Sequence, residues 1–236
     1  MPRISIISMY ADFQSRIYGF DGMFPRTLRD LTLKPGVVAR EYIKGNRVRY
    51  YGPVGYFFLT ITVTIIMMSV LDISFQDFMK IVAIDTPKQN AGQEQFQTVL
   101  SKLITDNLRL FSFLIVPFIT ASAWLFFRKS KLNFLEHSVP VFYTLGHLYW
   151  LTILNLVLYK FFDTAITQYV LSPLTIFFYA LAGVGFYQHQ AKWKVAVKSV
   201  LTFVVAYLLF FAVFAGIILI YALNNPEFQE MIKPKK

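Results

Sequence analysis

Five stretches of the chain lack Asp, Glu, Lys and Arg, over residues 53–71, 110–127, 138–159, 170–187 and 200–223. A helix needs about 20 predominantly apolar residues to cross the hydrocarbon core of a bilayer, so this pattern predicts five transmembrane helices. Pro117 lies inside the second stretch and is expected to kink it by removing a backbone donor. Pro140 and Pro173 fall near the predicted starts of the third and fourth, where proline is tolerated.

Between the first two spans, residues 72–109 carry a helical pattern of their own. Ser74 with Asp77 resembles a capping box ahead of Phe78, Met79 and Val82, and Phe96, Val99, Leu100, Leu103 and Ile104 recur at helical spacing after the turn-like residues 86–92. The expectation is an external helical hairpin whose second arm runs into the second span. Ahead of the spans, Ile6, Tyr10, Phe13 and Ile17 share one side of a helical wheel opposite Ser8, Asp12 and Ser15, which predicts an amphipathic helix lying on the membrane or against the protein's own core. Asp12 interrupts the apolar run too early for a signal peptide, so this segment is expected to be retained. The predicted fold is therefore all-α: a cytoplasmic, interfacial amphipathic segment over residues 1–52, a five-span membrane helix bundle over residues 53–223, and an external tail over residues 224–236.

Composition strengthens the membrane assignment. Among 236 residues, 56% are hydrophobic, 18% aromatic and only 15% charged, against about 25% charged residues in soluble domains, and the mean hydropathy is +0.51. The net charge is +10. In a soluble protein that excess would suggest nucleic acid, but here most of it flanks the spans. Arg3, Arg16, Arg26, Arg29, Lys34, Arg40, Lys44, Arg47 and Arg49 precede the first span, Arg128, Lys129 and Lys131 follow the second, and Lys192, Lys194 and Lys198 follow the fourth. Under the positive-inside rule this places the N-terminus in the cytoplasm, and an odd number of spans places the C-terminus outside. Nucleic-acid binding is not expected. With no cysteine, a disulfide framework, a thiolate metal site and a cysteine nucleophile are excluded.

The densest chemistry lies just before the first span, in residues 27–53, TLRDLTLKPGVVAREYIKGNRVRYYGP. Thr27 and Asp30 suggest a capping box, Pro35 and Gly36 should interrupt the helix, and a second short helix from Val37 should end at Gly45 or Asn46. Arg29, Arg40, Lys44, Arg47 and Arg49, with Tyr50, then crowd the mouth of the first span. Each cation near an anionic leaflet gains about 1 kcal/mol, and an arginine fork can grip phosphate through two parallel bonds, so these six residues are candidates for binding a lipid headgroup or another phosphate. The competing reading is structural: Asp30 and Glu41 pair with these cations and fasten two interfacial helices beneath the bundle.

In the elements Thr27–Leu31, Pro35–Gly36, Arg40–Tyr42, Gly45 with Arg47, and Tyr50 with Pro53, the segment resembles a family of uncharacterised bacterial inner-membrane proteins common among Bacteroidetes. The resemblance implies a polytopic protein of the inner membrane and carries no established activity. Many members of that family begin with a Cys-rich zinc ribbon, which this chain has no cysteine to build.

Within the spans, His147 and Asn155 are candidates for a polar pathway, with Tyr143 and Thr144 nearby, because intramembrane polar groups face either a partner or a wet cavity. Interhelical hydrogen bonding is the plainer alternative. The three histidines show no metal-ligand spacing, and neither a G-x-S-x-G motif nor a phosphate-binding glycine loop occurs. No metal or cofactor is expected. Ala212 and Gly216 form a small-residue face suited to helix packing. The expected function is that of a non-enzymatic accessory or scaffold protein that engages anionic lipid, a membrane-protein partner or a second copy of itself; the alternative is a small transporter or lipid-translocating protein.

Overall fold

Helix punctuation in the sequence translates directly into the chain path. A computed structural model describes residues 22–74, 108–162 and 166–224, and among these every regular element is helical. Helix α1 occupies residues 22–33, α2 Val37–Ile43, α3 Pro53–Val70, α4 Leu108–Phe126, α5 Phe134–Phe162, α6 Ile166–Phe186 and α7 Lys192–Asn224, with a single 3-10 turn at Arg128–Ser130. The predicted hairpin, the amphipathic helix over residues 6–17 and the tail beyond residue 224 fall outside the described residues.

Four helical stretches, Pro53–Val70, Arg109–Phe126, Phe134–Phe162 and Lys192–Ile217, are long and apolar enough to cross a membrane, and Pro173–Phe186 is a shorter apolar stretch within α6. Among the described residues, their outer faces carry many exposed apolar side chains. In α7 only 11% of the apolar stretch is buried, and Leu208, Phe211 and Ile220 are all exposed. Hydrocarbon covers such surfaces without cost where water would not, which is compatible with a multi-pass membrane protein.

Three helix starts, those of α5, α6 and α7, differ from the expectation. Asn133 and Glu136 form a reciprocal capping box: the Asn133 side chain accepts the Glu136 N–H at 2.8 Å and the Glu136 carboxylate accepts the Asn133 N–H at 2.8 Å. It starts α5 at Phe134, so Pro140 lies inside the helix rather than at its start, as Pro173 does in α6. Similarly, α7 begins at Lys192, ahead of its uncharged stretch, because long lysine side chains can reach outward while their backbone continues the helix.

Helices α4, α5, α6 and α7 pack in a closed ring in which α5 touches α4 and α6, and α7 closes the other side; α3 lies against the outside of α5, and α2 crosses the end of α5 and α6. Gly183 lets α6 and α7 approach, since a Cβ there would overlap the Ser199 hydroxyl. By contrast, Gly216 meets nothing within 4 Å among the described residues, so the Ala212/Gly216 face is unused within this part of the chain.

Candidate functional site

Residues 22–52 form a cap on the end of the bundle where α3 begins and α6 ends. Its turn is built on Gly36, at φ +84°, where a Cβ would overlap the Ala182 carbonyl oxygen and stand 2.7 Å from the Phe186 nitrogen. Only glycine both adopts this left-handed conformation freely and lets the turn lie directly on α6. From α2, Arg40 donates from Nη1 to the Gly185 carbonyl at 2.7 Å. Leu31, Val38, Ala39 and Tyr50 join a core with Tyr56, Tyr143 and Phe186 from the spans.

Thr27 is not a helix cap, because α1 already runs from residue 22. It is fully buried; its hydroxyl donates to the Met23 carbonyl at 2.6 Å and accepts the Tyr51 N–H at 2.9 Å. The Tyr143 hydroxyl donates to the Tyr51 carbonyl at 2.6 Å, so one backbone residue at the entry to α3 is tied to both α1 and α5.

The carboxylates of the cap make local pairs. Asp30 lies 2.9 Å from its chain neighbour Arg29, and Glu41 lies 3.6 Å from Lys44, one turn along. Asp30 also accepts the Tyr50 hydroxyl at 3.1 Å. Partial burial pushes the Asp30 carboxyl up, but the bonds from Arg29 and Tyr50, with the charges of Arg29 and Arg49, outweigh it and hold the group below its ordinary value. Burial and the bond to Asp30 raise Tyr50 in turn. Arg47 sits 5.8 Å from the Tyr42 ring centroid and Arg49 5.5 Å from that of Tyr50, within cation–π range. The cap is thus held by hydrogen bonds, among them the one from Tyr50 to the Asp30 carboxylate, by apolar burial and by Arg40, with no ion pair joining α1 to α2 among the described residues.

The six predicted binding residues separate. Arg29, Arg49 and Tyr50 line an open cleft of about 270 Å³ with Asp30, Lys34 and Glu41. Arg40 and Lys44 face the other side of α2, in a second cleft of about 210 Å³. Arg47 lines neither and is exposed.

His147 and Asn155 are not brought together. The His147 ring bonds on both sides, Nδ1 lying 3.0 Å from the Tyr56 hydroxyl and Nε2 3.2 Å from the Thr32 hydroxyl, and it stacks on Phe178 at 5.0 Å. Thr32 spends its single proton on the Leu28 carbonyl, so it must accept from His147 Nε2–H; Nδ1 then accepts from Tyr56, whose oxygen accepts Trp150 Nε1–H at 3.2 Å. Donor counting therefore gives one continuous chain of bonds through a singly protonated imidazole, joining α1, α3 and α5. Asn155 is buried farther along α5, and its Oδ1 has no partner among the described residues. Sequence reading missed Thr32, Tyr56 and Trp150, since nothing in a linear pattern shows that α1 reaches the middle of α5. It also passed over His137, which is fully buried and bonded to Tyr187 through Nδ1 at 2.6 Å. Among the described residues no group of three His, Asp or Glu side chains stands ready to hold a metal ion.

Residues 21–65, which take in α1, α2 and most of α3, match the model of a family described as a protein of unknown function, DUF3667. No curated protein and no solved structure matches the chain.

Proposed function

We propose that this chain is a non-enzymatic, five-span accessory or scaffold protein of a bacterial inner membrane, with its N-terminus cytoplasmic and its C-terminus external, whose basic cap engages anionic lipid headgroups and, beside them, a membrane partner. A fifth span is supported by the 21-residue length of α6, which at about 1.5 Å per residue approaches the thickness of the hydrocarbon core. One observation carries the reading of the cap. Because hydrogen bonds, apolar burial and Arg40 hold it in place, its other cations are left outward: Arg29 and Lys44 are 65% and 63% exposed, and Lys34, Arg47 and Arg49 are exposed as well. Leu33 and Val48, at 69% and 88% exposure, stand among them, and apolar side chains interspersed with cations suit the boundary between headgroups and acyl chains. The transporter reading draws less support, because both nitrogens of His147 are committed to the bond chain.

The test is the thermal stability of the protein in nanodiscs of phosphatidylcholine with increasing phosphatidylglycerol. The expected outcome is stabilisation that grows with the anionic fraction, fades as salt shortens the screening length and weakens in Arg47→Gln and Arg49→Gln. Indifference to both lipid charge and salt would overturn the proposal. Reporters fused after Lys131 and Lys194 test the orientation, and an external signal at either would refute it.

A further inference from the structure

The second cleft lies between α2, the loop after the 3-10 turn and the end of α6. Arg40, Lys44, Ser130 and His189 surround it, and Phe186 and Tyr187 form a buried floor. Unlike the cleft that holds Asp30 and Glu41, it has no carboxylate in its lining among the described residues, Glu41 approaching it only through Lys44. We propose that it is a binding site for a terminal phosphate group, a phosphate monoester, whether presented by a lipid headgroup or by a soluble phosphorylated molecule. The inference deepens the reading of the cap by giving part of its basic surface a discrete ligand.

Three observations converge on this chemistry. Arg40 is fixed by its Nη1 bond to Gly185, while its Nε is buried without a partner among the described residues. Buried donors are rarely left unpaired, and an arginine held at one corner keeps further donors in the fork geometry that matches phosphate oxygens. Two formal positive charges, Arg40 and Lys44, match the charge of about −1.5 to −2 that a phosphate monoester carries near neutral pH. Among the described residues, the exposed Lys44 is engaged by the half-buried Glu41 at 3.6 Å, a pair near the surface and long enough to be exchanged for a ligand. His189 is exposed at the rim, whereas the Ser130 hydroxyl is already engaged by His137 and the Leu132 N–H at 3.4 Å each and only borders the cleft. The hydroxyl of Tyr187 is already bonded to His137, so it serves as floor rather than as a ligand. Cations over an apolar floor, open at Lys44 and His189, would admit a terminal phosphate more readily than one enclosed between two ester groups.

The experiment measures thermal unfolding of the full chain in two arms. In neutral detergent, inorganic phosphate is titrated against chloride at matched ionic strength. In nanodiscs, phosphatidic acid is compared with phosphatidylglycerol at matched surface charge. Arg40→Gln also removes the bond to Gly185 and can fail to fold, so the variants are Lys44→Gln and His189→Asn, separately and together. The proposal expects saturable stabilisation of the wild type in at least one arm, with half-saturation shifted at least tenfold in the double variant. A response to inorganic phosphate points to a soluble ligand; a preference for phosphatidic acid with no response to inorganic phosphate points to a lipid. Chloride matching phosphate together with phosphatidylglycerol matching phosphatidic acid, or a response that survives in the double variant, would overturn it. The detergent arm contains no anionic lipid, so its result stands whether or not the cap as a whole responds to phosphatidylglycerol.

Discussion

Replacing His147 by leucine tests whether the bond chain through the bundle is structural. The substitution keeps an apolar side chain against Phe178 and removes two hydrogen bonds, at 3.0 Å to Tyr56 and 3.2 Å to Thr32. Side-chain bonds between membrane helices average about 0.6 kcal/mol and reach about 1.7 kcal/mol. The Thr32 end is exposed and should contribute less than the Tyr56 end, which is buried. The expected loss is therefore about 1–2 kcal/mol, roughly a five- to thirtyfold fall in the folded-to-unfolded ratio. Tyr56→Phe breaks the chain at the next atom, removing the same His147 bond and the one from Trp150. Because both variants delete the Tyr56–His147 bond, their effects should not add. A double-mutant cycle on reversible unfolding in detergent should give a coupling of about 0.6–1.7 kcal/mol, whereas independent sites add within about 0.3–0.5 kcal/mol. A stable His147→Leu variant with additive behaviour would refute the structural role and return the residue to the list of pathway candidates.

Gly36→Ala and Gly45→Ala form a matched pair, since both glycines have positive φ but only Gly36 is crowded. The left-handed conformation alone should cost Gly45→Ala about 1–2 kcal/mol, while Gly36→Ala adds about 1–3 kcal/mol of overpacking against α6, so only the latter should loosen α2 enough for trypsin to cleave after Arg40 and Lys44. Glu41→Gln should change stability by less than about 1 kcal/mol, as expected for a partly exposed ion pair of 3.6 Å; a severe loss on unfolding in detergent would show that Glu41 fastens the cap after all. Asp30, whose carboxyl is held below its ordinary value, stabilises the folded state fully above that value, and its contribution is lost as pH falls below it through the lowered folded value. The stability difference between wild type and Asp30→Asn should accordingly shrink below about pH 4, and a pH-independent difference would assign it to packing.

Residues 27–53 illustrate how much a linear pattern can reveal. The break at Pro35–Gly36, the short helix from Val37 and its stop at Gly45 were legible because each depends on local backbone preference: a fixed φ at proline, and positive φ of 84° and 100° at the two glycines. The Thr27/Asp30 pattern misled for the same reason. A threonine three residues before an acid reads as a cap, and nothing local reveals that α1 starts earlier and turns that hydroxyl toward Tyr51. The capping box at Asn133 and Glu136 was readable in principle, but attention to uncharged stretches hid a helix that begins among charges.

The sequence by itself determined that the chain is helical, apolar enough for a membrane and basic along one set of flanks, since periodicity, hydropathy and charge are sums over neighbouring residues. Only the tertiary structure decided which basic residues share a cleft, placing Arg40 and Lys44 in one and Arg29 and Arg49 in another, and only it joined Thr32, Tyr56, His147 and Trp150 into one chain of hydrogen bonds. Those relations depend on where the Gly36 turn docks against α6, a contact between residues about 150 positions apart, and loops closing such distances carry no signature in local sequence.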